Sequence, residues 1–324
     1  MARLLTLLAL VVLAPLPVGQ RSGSRLVVLN KEDAALVTVD PASGKVLGRV
    51  ATGDAPHEVA VSADGRTAVV GNYGAQTPGS TLSVIDLAAM KETRRVDVSP
   101  LRRPHGVFFS GGSVYFTSET NRIIGRYDVA ADRIDWLFGT GQGGTHMVWV
   151  KADASTIYAC NIASDSISII ERGAGPLAWT QTVVPVGKGP EGFDVSPDGR
   201  QLWAAHSRDG GVSIVDLDQK KVIQTIDVKT KRSNRLKFTP DGRTVLISDL
   251  DAGELLFVDV ASREVARRLP LGRMVEGILI EPGGARAFVA VNGDNYVAVV
   301  DLNARAVVAR LETGRGPDGM AWIR

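Results

Sequence analysis

One short phrase recurs along the chain and limits what it can fold into. "PHEVAVSADGRTAVVGN", "PHGVFFSGGSVYFTSE", "THMVWVKADASTIYACN", "PEGFDVSPDGRQLWAAH", "NRLKFTPDGRTVLISD", "VEGILIEPGGARAFVAVN" and "PDGMAWIR" align so that one slot falls at residues 57, 105, 146, 191, 234, 276 and 318. Successive slots are separated by about 43 residues, the period of a propeller blade built from four short strands. Each unit shows those strands. Strand A, "EVAVS"-like, ends in Asp-Gly at 64–65, 198–199 and 241–242, where a tight hairpin with two positive-φ residues is expected. Strand B is "RTAVVGN"-like. Strand C is "LSVID", returning as "VSIVD", "LLFVD" and "VAVVD", and strand D is "KVIQTIDV"-like. The aspartates closing strand C (Asp40, Asp86, Asp128, Asp216, Asp259, Asp301) share one repeat register, which makes them turn-capping carboxylates rather than catalytic ones.

The two ends complement each other. The sequence stops after a strand A, "GMAWIR", and begins with B, C and D: "RLVVLN", "ALVTVD", "KVLGRV". One strand from the tail and three from the head complete a seventh blade and remove the exposed edges of an open ring. The expectation is an all-β, seven-bladed propeller of four-stranded antiparallel blades. It forms a single domain over residues 25–324, with the N-terminal strands pairing with the C-terminal strand. Residues 1–20, "MARLLTLLALVVLAPLPVGQ", place Arg3 before an apolar run from Leu4 to Ala14. That run is too short to span a bilayer and reads as a cleaved secretory signal peptide, with a periplasmic or extracellular destination and no transmembrane segment in the mature chain.

Composition narrows the chemistry. Cys160 is the only cysteine, which excludes an internal disulfide, a C-x-x-C-H haem attachment and a multi-cysteine zinc cage; its apolar neighbours read as a buried, inert thiol. The net charge is +2, without a dense basic run. The tryptophans (Trp136, Trp149, Trp179, Trp203, Trp322) sit in strand-like stretches rather than on stacking platforms, which argues against nucleic acid as the partner. "GTGQGGTH" at 139–146 does not lead a strand into a helix and is a D–A loop, not a phosphate cradle.

Strands A and B are antiparallel neighbours, so the start of A and the end of B share one face of the disc. The first ring then holds His57, His105, His146, Glu191, Asn234, Glu276 and Asp318; the second holds Asn30, Asn72, Ser118, Asn161, His206, Asp249 and Asn292. All four histidines of the protein fall on that face. The expected ligand-binding residues are His57, His105, His146, Glu191, His206, Asn234, Asp249, Glu276 and Asp318. The D–A loops add a basic rim of Arg103, Lys188, Arg232, Arg273 and Arg315, flanked by Arg102 and Lys231, which favours a small anion. His57, His105 and His146 come from consecutive blades and are candidates for a divalent metal, with Glu191 as a fourth ligand or catalytic base. The plainer alternative is that a Pro-polar-Gly entry to strand A belongs to the repeat itself, its side chains bonding a neighbouring blade's backbone.

The run "PEGFDVSPDGRQLWAAH…VSIVDLDQKKVIQTIDV" resembles the YVTN-repeat β-propellers. These include the periplasmic YncE-like proteins, archaeal surface-layer repeats and, more distantly, the haem-binding propeller of cytochrome-type nitrite reductase. The resemblance covers essentially the whole chain after the apolar leader. It implies fold and repeat class and leaves function among three readings, because one propeller hosts many activities. The expected reading is a non-catalytic binding or scaffold module whose polar face takes a small anionic ligand or a partner protein. The alternatives are a metal-dependent hydrolase, lactonase or lyase using the histidine cluster, and a haem or redox-cofactor propeller, which would need an axial histidine.

Overall fold

The computed structural model describes residues 23–175 and 178–324, so the leader expected at 1–20 lies outside the described residues. Seven four-stranded antiparallel sheets form the blades. Blade 1 takes its innermost strand from Pro317–Ile323 and continues outward through Arg25–Asn30, Ala35–Val39 and Val46–Ala51. Blades 2 to 7 are sequential in the chain, over residues 56–97, 104–139, 145–185, 190–227, 233–270 and 275–311. The innermost strands touch one another right round the ring, from blade 7 back to blade 1, so the expected closure by head and tail is what forms. Among the described residues, no helix is long and apolar enough to cross a membrane.

The inner strands pack blade on blade and the outermost strands do not. Val69, Leu82 and Val84 of blade 2 interlock with Val114, Phe116 and Tyr127 of blade 3, all essentially unexposed. Blades 6 and 7 repeat this with Leu246, Leu255 and Phe257 against Val275 and Val289. Strand B of every blade is therefore buried on both faces, which is why its sequence is a continuous apolar run rather than an alternation. Strand D alternates half-buried and exposed residues. Trp203 is fully buried, and Trp136, Trp149, Trp179 and Trp322 pack against the core clusters.

The A–B hairpins differ from the expected mirror-image turn. Only the glycine is left-handed, with φ of 71° at Gly65, 72° at Gly199 and 69° at Gly242. The aspartate before it acts through its side chain: Asp64 Oδ1 accepts from Ser62 Oγ at 2.6 Å and from the Arg66 amide at 3.1 Å. Asp198 with Ser196 and Asp241 with Thr239 do the same. The Asp-Gly pair thus reports an Asx-locked turn with one positive-φ residue, not two. The strand-C aspartates do cap turns; Asp86 Oδ1 accepts from the amides of Ala88 and Ala89, both at 2.8 Å.

A bulge near the start of strand A recurs in all seven blades, including 56–59, 104–107 and 145–148. It sits where seven strands crowd round one axis. The residue after the slot is glycine in four blades because there is no room for more: a Cβ on Gly277 would lie 2.2 Å from the Asp318 carbonyl, and one on Gly319 2.2 Å from the His57 carbonyl. The exceptions are Glu58, Met147 and Arg235.

Candidate functional site at the axis

The first-ring side chains meet around the axis in a lopsided arrangement. In blades 2, 3 and 4 the imidazoles form a stack. His57 and His105 have centroids 4.9 Å apart, and His105 and His146 lie 3.7 Å apart at an interplanar angle of 34°. Tyr73 closes on both His57, at 4.6 Å, and His105, at 5.3 Å. These rings are tilted against one another, by 56° between His57 and His105 and 34° between His105 and His146, with their centroids at packing distance, whereas a tetrahedral zinc ion needs ring nitrogens that converge on one point at about 2.0–2.1 Å. Among the described residues, no three His, Cys, Asp or Glu side chains are grouped to hold a metal ion.

The residues that tie this stack down come from positions the slot pattern does not mark. Glu119 bonds the Nδ1 of His146 through one oxygen and accepts from the Tyr73 hydroxyl through the other, at 2.6 Å. Lys31 reaches Glu276 at 2.7 Å and Asp318 at 3.3 Å, and Asp318 in turn lies 3.5 Å from Nδ1 of His57. Lys31, Tyr73 and Glu119 each sit at the start of a B–C loop, one residue past the second ring. The equivalent residues in blades 4 to 7 are Ile162, Ser207, Leu250 and Gly293, so polar chemistry concentrates over blades 1 to 4.

A second layer crosses the axis. The guanidinium of Arg235 in blade 6 bonds Glu58 in blade 2, with Nε at 3.0 Å, and its remaining donors take the carbonyl and side-chain oxygens of Asn234 at 3.2 Å. Asn234 also donates to Glu191 Oε1 at 2.8 Å. Both charged residues stand where other blades carry glycine, which is the signal that sequence reading could have used and did not. Glu191 is therefore engaged by a neighbour rather than poised beside the histidines.

Electrostatics follow from this burial. Desolvation pushes His57 down to about 3, opposed by the Asp318 charge and aided by Lys31 and Arg235. Burial lowers His105 well below the usual imidazole range, and its neighbours His146, His57, Arg235 and Lys31 all act in the same direction. Both imidazoles are neutral at physiological pH. Burial and then the Asp318 charge raise Glu276 to about 7. Burial also works against the Asp318 anion, but Lys31, His57 and Arg235 hold it below the usual carboxylate range. Five carboxylates (Glu58, Glu119, Glu191, Glu276, Asp318) face two cations (Lys31, Arg235) around the axis. The ring itself does not attract anions.

The second ring is structural. Asn72 accepts the Gly53 amide at 3.0 Å, Asp249 accepts the amides of Lys231 at 2.7 Å and Arg232 at 3.0 Å, and Asn30 donates to the Thr313 carbonyl at 2.9 Å. Each pins its blade's D–A loop. His206 braces its own blade instead: its Nδ1 meets Asp209 in the B–C loop at 2.8 Å, its Nε2 accepts the Ser213 amide of strand C at 3.1 Å, and it is unexposed. His206 and Asp249 thus stand on the expected face without joining the axial cluster. Cys160 is buried, and desolvation raises its thiol to about 12, which leaves it inert.

Two of the five rim cations are spent in ion pairs: Arg273 with Asp294 at 2.7 Å and Arg315 with Asp33 at 2.8 Å. Lys188 and Arg232 are exposed, their backbone amides bonded to Asp209 and Asp249 and their side chains in no ion pair among the described residues. Arg103 differs from all of these, because it is half-buried with its guanidinium carbon 4.5 Å from the centre of the Tyr73 ring.

Three buried side-chain atoms of the axial cluster have no hydrogen-bond partner among the described residues: Nδ1 of His105, Nε2 of His146 and Oδ1 of Asp318. Unsatisfied buried polar atoms cost about 1–3 kcal/mol each and call for an explanation where they cluster. His57 and Tyr73, both part-exposed, pack against the buried His105 ring.

Comparison with known proteins bears on fold more than on chemistry. The family model "YNCE-like beta-propeller" matches residues 4–323. Antigen Lp49 of Leptospira interrogans is 23% identical over 185 residues, covering 51% of this chain and 40% of that protein; the chain thus spans well under half the length of this curated relative. The periplasmic gluconolactonase PpgL of Pseudomonas aeruginosa superposes with a TM-score of 0.74 at 20% identity, over 93% of this chain and 99% of that one. Hydrazine synthase of Kuenenia stuttgartiensis superposes with a TM-score of 0.67 at 20% identity, over 82% and 88%. At these identities the two structures speak for the fold alone.

Proposed function

The chain belongs to the YncE-like β-propeller family, and from that premise we propose that it is an exported binding module that takes a small hydroxylated ligand at the axial mouth over blades 1 to 4. The observation that carries this reading is the set of unpartnered polar atoms on His105, His146 and Asp318. Asp318 Oδ1 is an acceptor. Glu119 holds the Nδ1 side of His146, which leaves Nε2 as an acceptor as well. A partner for such a site supplies donors, and hydroxyl groups do so without the desolvation cost of a full charge. Export rests on the apolar leader and on the periplasmic character of YncE-like proteins. The test is calorimetric titration with neutral polyols and hydroxy acids, D-glucitol and D-gluconate among them. Binding that Asp318→Asn and His105→Gln each weaken at least tenfold supports the reading; no binding of either compound overturns it.

A second reading is favoured by one contact. A carboxylate holding one imidazole nitrogen while the other stays free is the arrangement of a general base, and the gluconolactonase of similar fold supplies a substrate to try. In that reading Nε2 of His146 takes a proton from water as its oxygen adds to a lactone carbonyl. The ring C–O bond then breaks, the leaving oxygen recovers the proton, and a hydroxy acid is released. Hydrolysis of glucono-δ-lactone above the background rate, lost in Glu119→Gln, is the required result; a rate equal to background removes it.

A further inference from the structure

The ring round the axis carries more carboxylates than cations, and most rim cations are exposed or paired with aspartates. Arg103 is set apart from them by three independent observations. It sits at the last D–A loop position before strand A, which takes positive φ in six blades: Ala55, Arg103, Gly144, Gly189, Met274 and Gly316. Glycine serves there in three blades, whereas Arg103 holds a φ of 55° against the preference of a residue with a Cβ. The backbone is fixed in that state, its amide donating to the Gly79 carbonyl at 2.8 Å and its carbonyl accepting the Glu119 amide at 3.2 Å. Its guanidinium lies against Tyr73, the same ring that packs on His57 and His105 and donates to Glu119. And the guanidinium makes no ion pair among the described residues; its polar contacts are a long hydrogen bond of 3.5 Å to the Gly74 carbonyl and the Tyr73 hydroxyl it neighbours. A positive-φ backbone, a guanidinium held over an aromatic ring and a fork of five donors with only neutral partners describe a preorganised oxyanion clamp.

We infer that Arg103 is the charge-reading residue of the axial site, receiving the carboxylate of a hydroxy acid whose hydroxyl groups face the His57–His105–His146 stack. This deepens the binding reading above and rests on it. Tyr73 does two jobs in this arrangement. Its ring carries the guanidinium at 4.5 Å, and its edge and hydroxyl link that cation to His105 and Glu119. The structure thereby narrows the basic rim to one arginine.

The experiment compares D-gluconate with D-glucitol, which has the same carbon chain and no carboxylate. Affinities are measured by calorimetry at constant ionic strength for the full chain and for Arg103→Gln, Arg103→Lys and Arg103→Gly. Gluconate is expected to bind the unaltered protein at least tenfold tighter than glucitol, with the two equal in Arg103→Gln and the preference only partly kept in Arg103→Lys. Arg103→Gly separates function from folding. Glycine suits the left-handed backbone, so that variant is expected to melt no lower than the unaltered protein while losing the preference. Equal binding of both compounds by the unaltered protein overturns the role of Arg103 and leaves the hydroxyl-binding site standing. A preference that survives in Arg103→Gln and Arg103→Gly overturns it too. Failure of both compounds to bind overturns this inference together with the reading beneath it.

Discussion

Removing Glu58 should destabilise the propeller more than its surface-like position in the sequence suggests. The Arg235 side chain is 6% exposed and that of Glu58 14%, so Glu58→Ala strands a guanidinium at the centre of the disc. Breaking a buried ion pair from one side costs about 3–5 kcal/mol. Arg235 would keep its bonds to the two Asn234 oxygens at 3.2 Å, and Asp318 and Glu191 lie close enough to favour its charge. The loss should therefore sit near the lower end, about 3 kcal/mol. Removing both charges tests whether the penalty comes from the stranded cation. Glu58→Met with Arg235→Met exchanges the pair for apolar bulk, and such exchanges are neutral or stabilising by about 1–4 kcal/mol when the space is filled. Equilibrium urea unfolding, followed by tryptophan fluorescence and by far-ultraviolet circular dichroism, gives both values if the two probes coincide. A Glu58→Ala loss under about 1 kcal/mol, or a double variant less stable than Glu58→Ala, would refute the idea that this pair is a buried fastening across the axis.

Three further outcomes follow from the same contacts. Glu276 is raised to about 7 when folded and returns to 4.5 when unfolded, so the folded state binds the extra proton; its contribution to stability falls as pH rises from about 4.5 to about 7, and Glu276→Gln should flatten that slope in urea midpoints measured across this window. His206→Ala should cost about 2–3 kcal/mol in urea unfolding, because the Ser213 amide and Asp209 lose a buried partner, yet leave gluconate affinity unchanged within twofold. Deleting residues 317–324 removes the inner strand of blade 1 and bares the edge of Arg25–Asn30; size-exclusion chromatography should show soluble aggregates instead of the parent peak.

The fold was legible in the sequence because the repeat prints it seven times over. Period, strand order and the split seventh blade all follow from aligned apolar runs and turn residues. The hairpin type was misread at Asp64, since Asp-Gly has two uses and only the Ser two residues earlier tells them apart. The first ring was legible too, because every member shares a slot. What the repeat could not show is how those side chains meet. His206 lies on the right face but turns into its blade, and the imidazoles pack on one another where convergence on a metal was one of the alternatives. Lys31, Tyr73 and Glu119 were passed over because their positions are apolar or small in the other blades. Glu58 and Arg235 were missed although each breaks a glycine pattern. Departures from a repeat, rather than its regularities, mark this site.

Histidine-selective nitrogen-15 magnetic resonance tests the central claim most directly, because the chain has four histidines and three of them form the axial stack. The account predicts that titration with D-gluconate shifts the ring signals of His57, His105 and His146 together and leaves those of His206 in place. Axial signals that stay fixed at millimolar gluconate, or a His206 response as large as theirs, would contradict it.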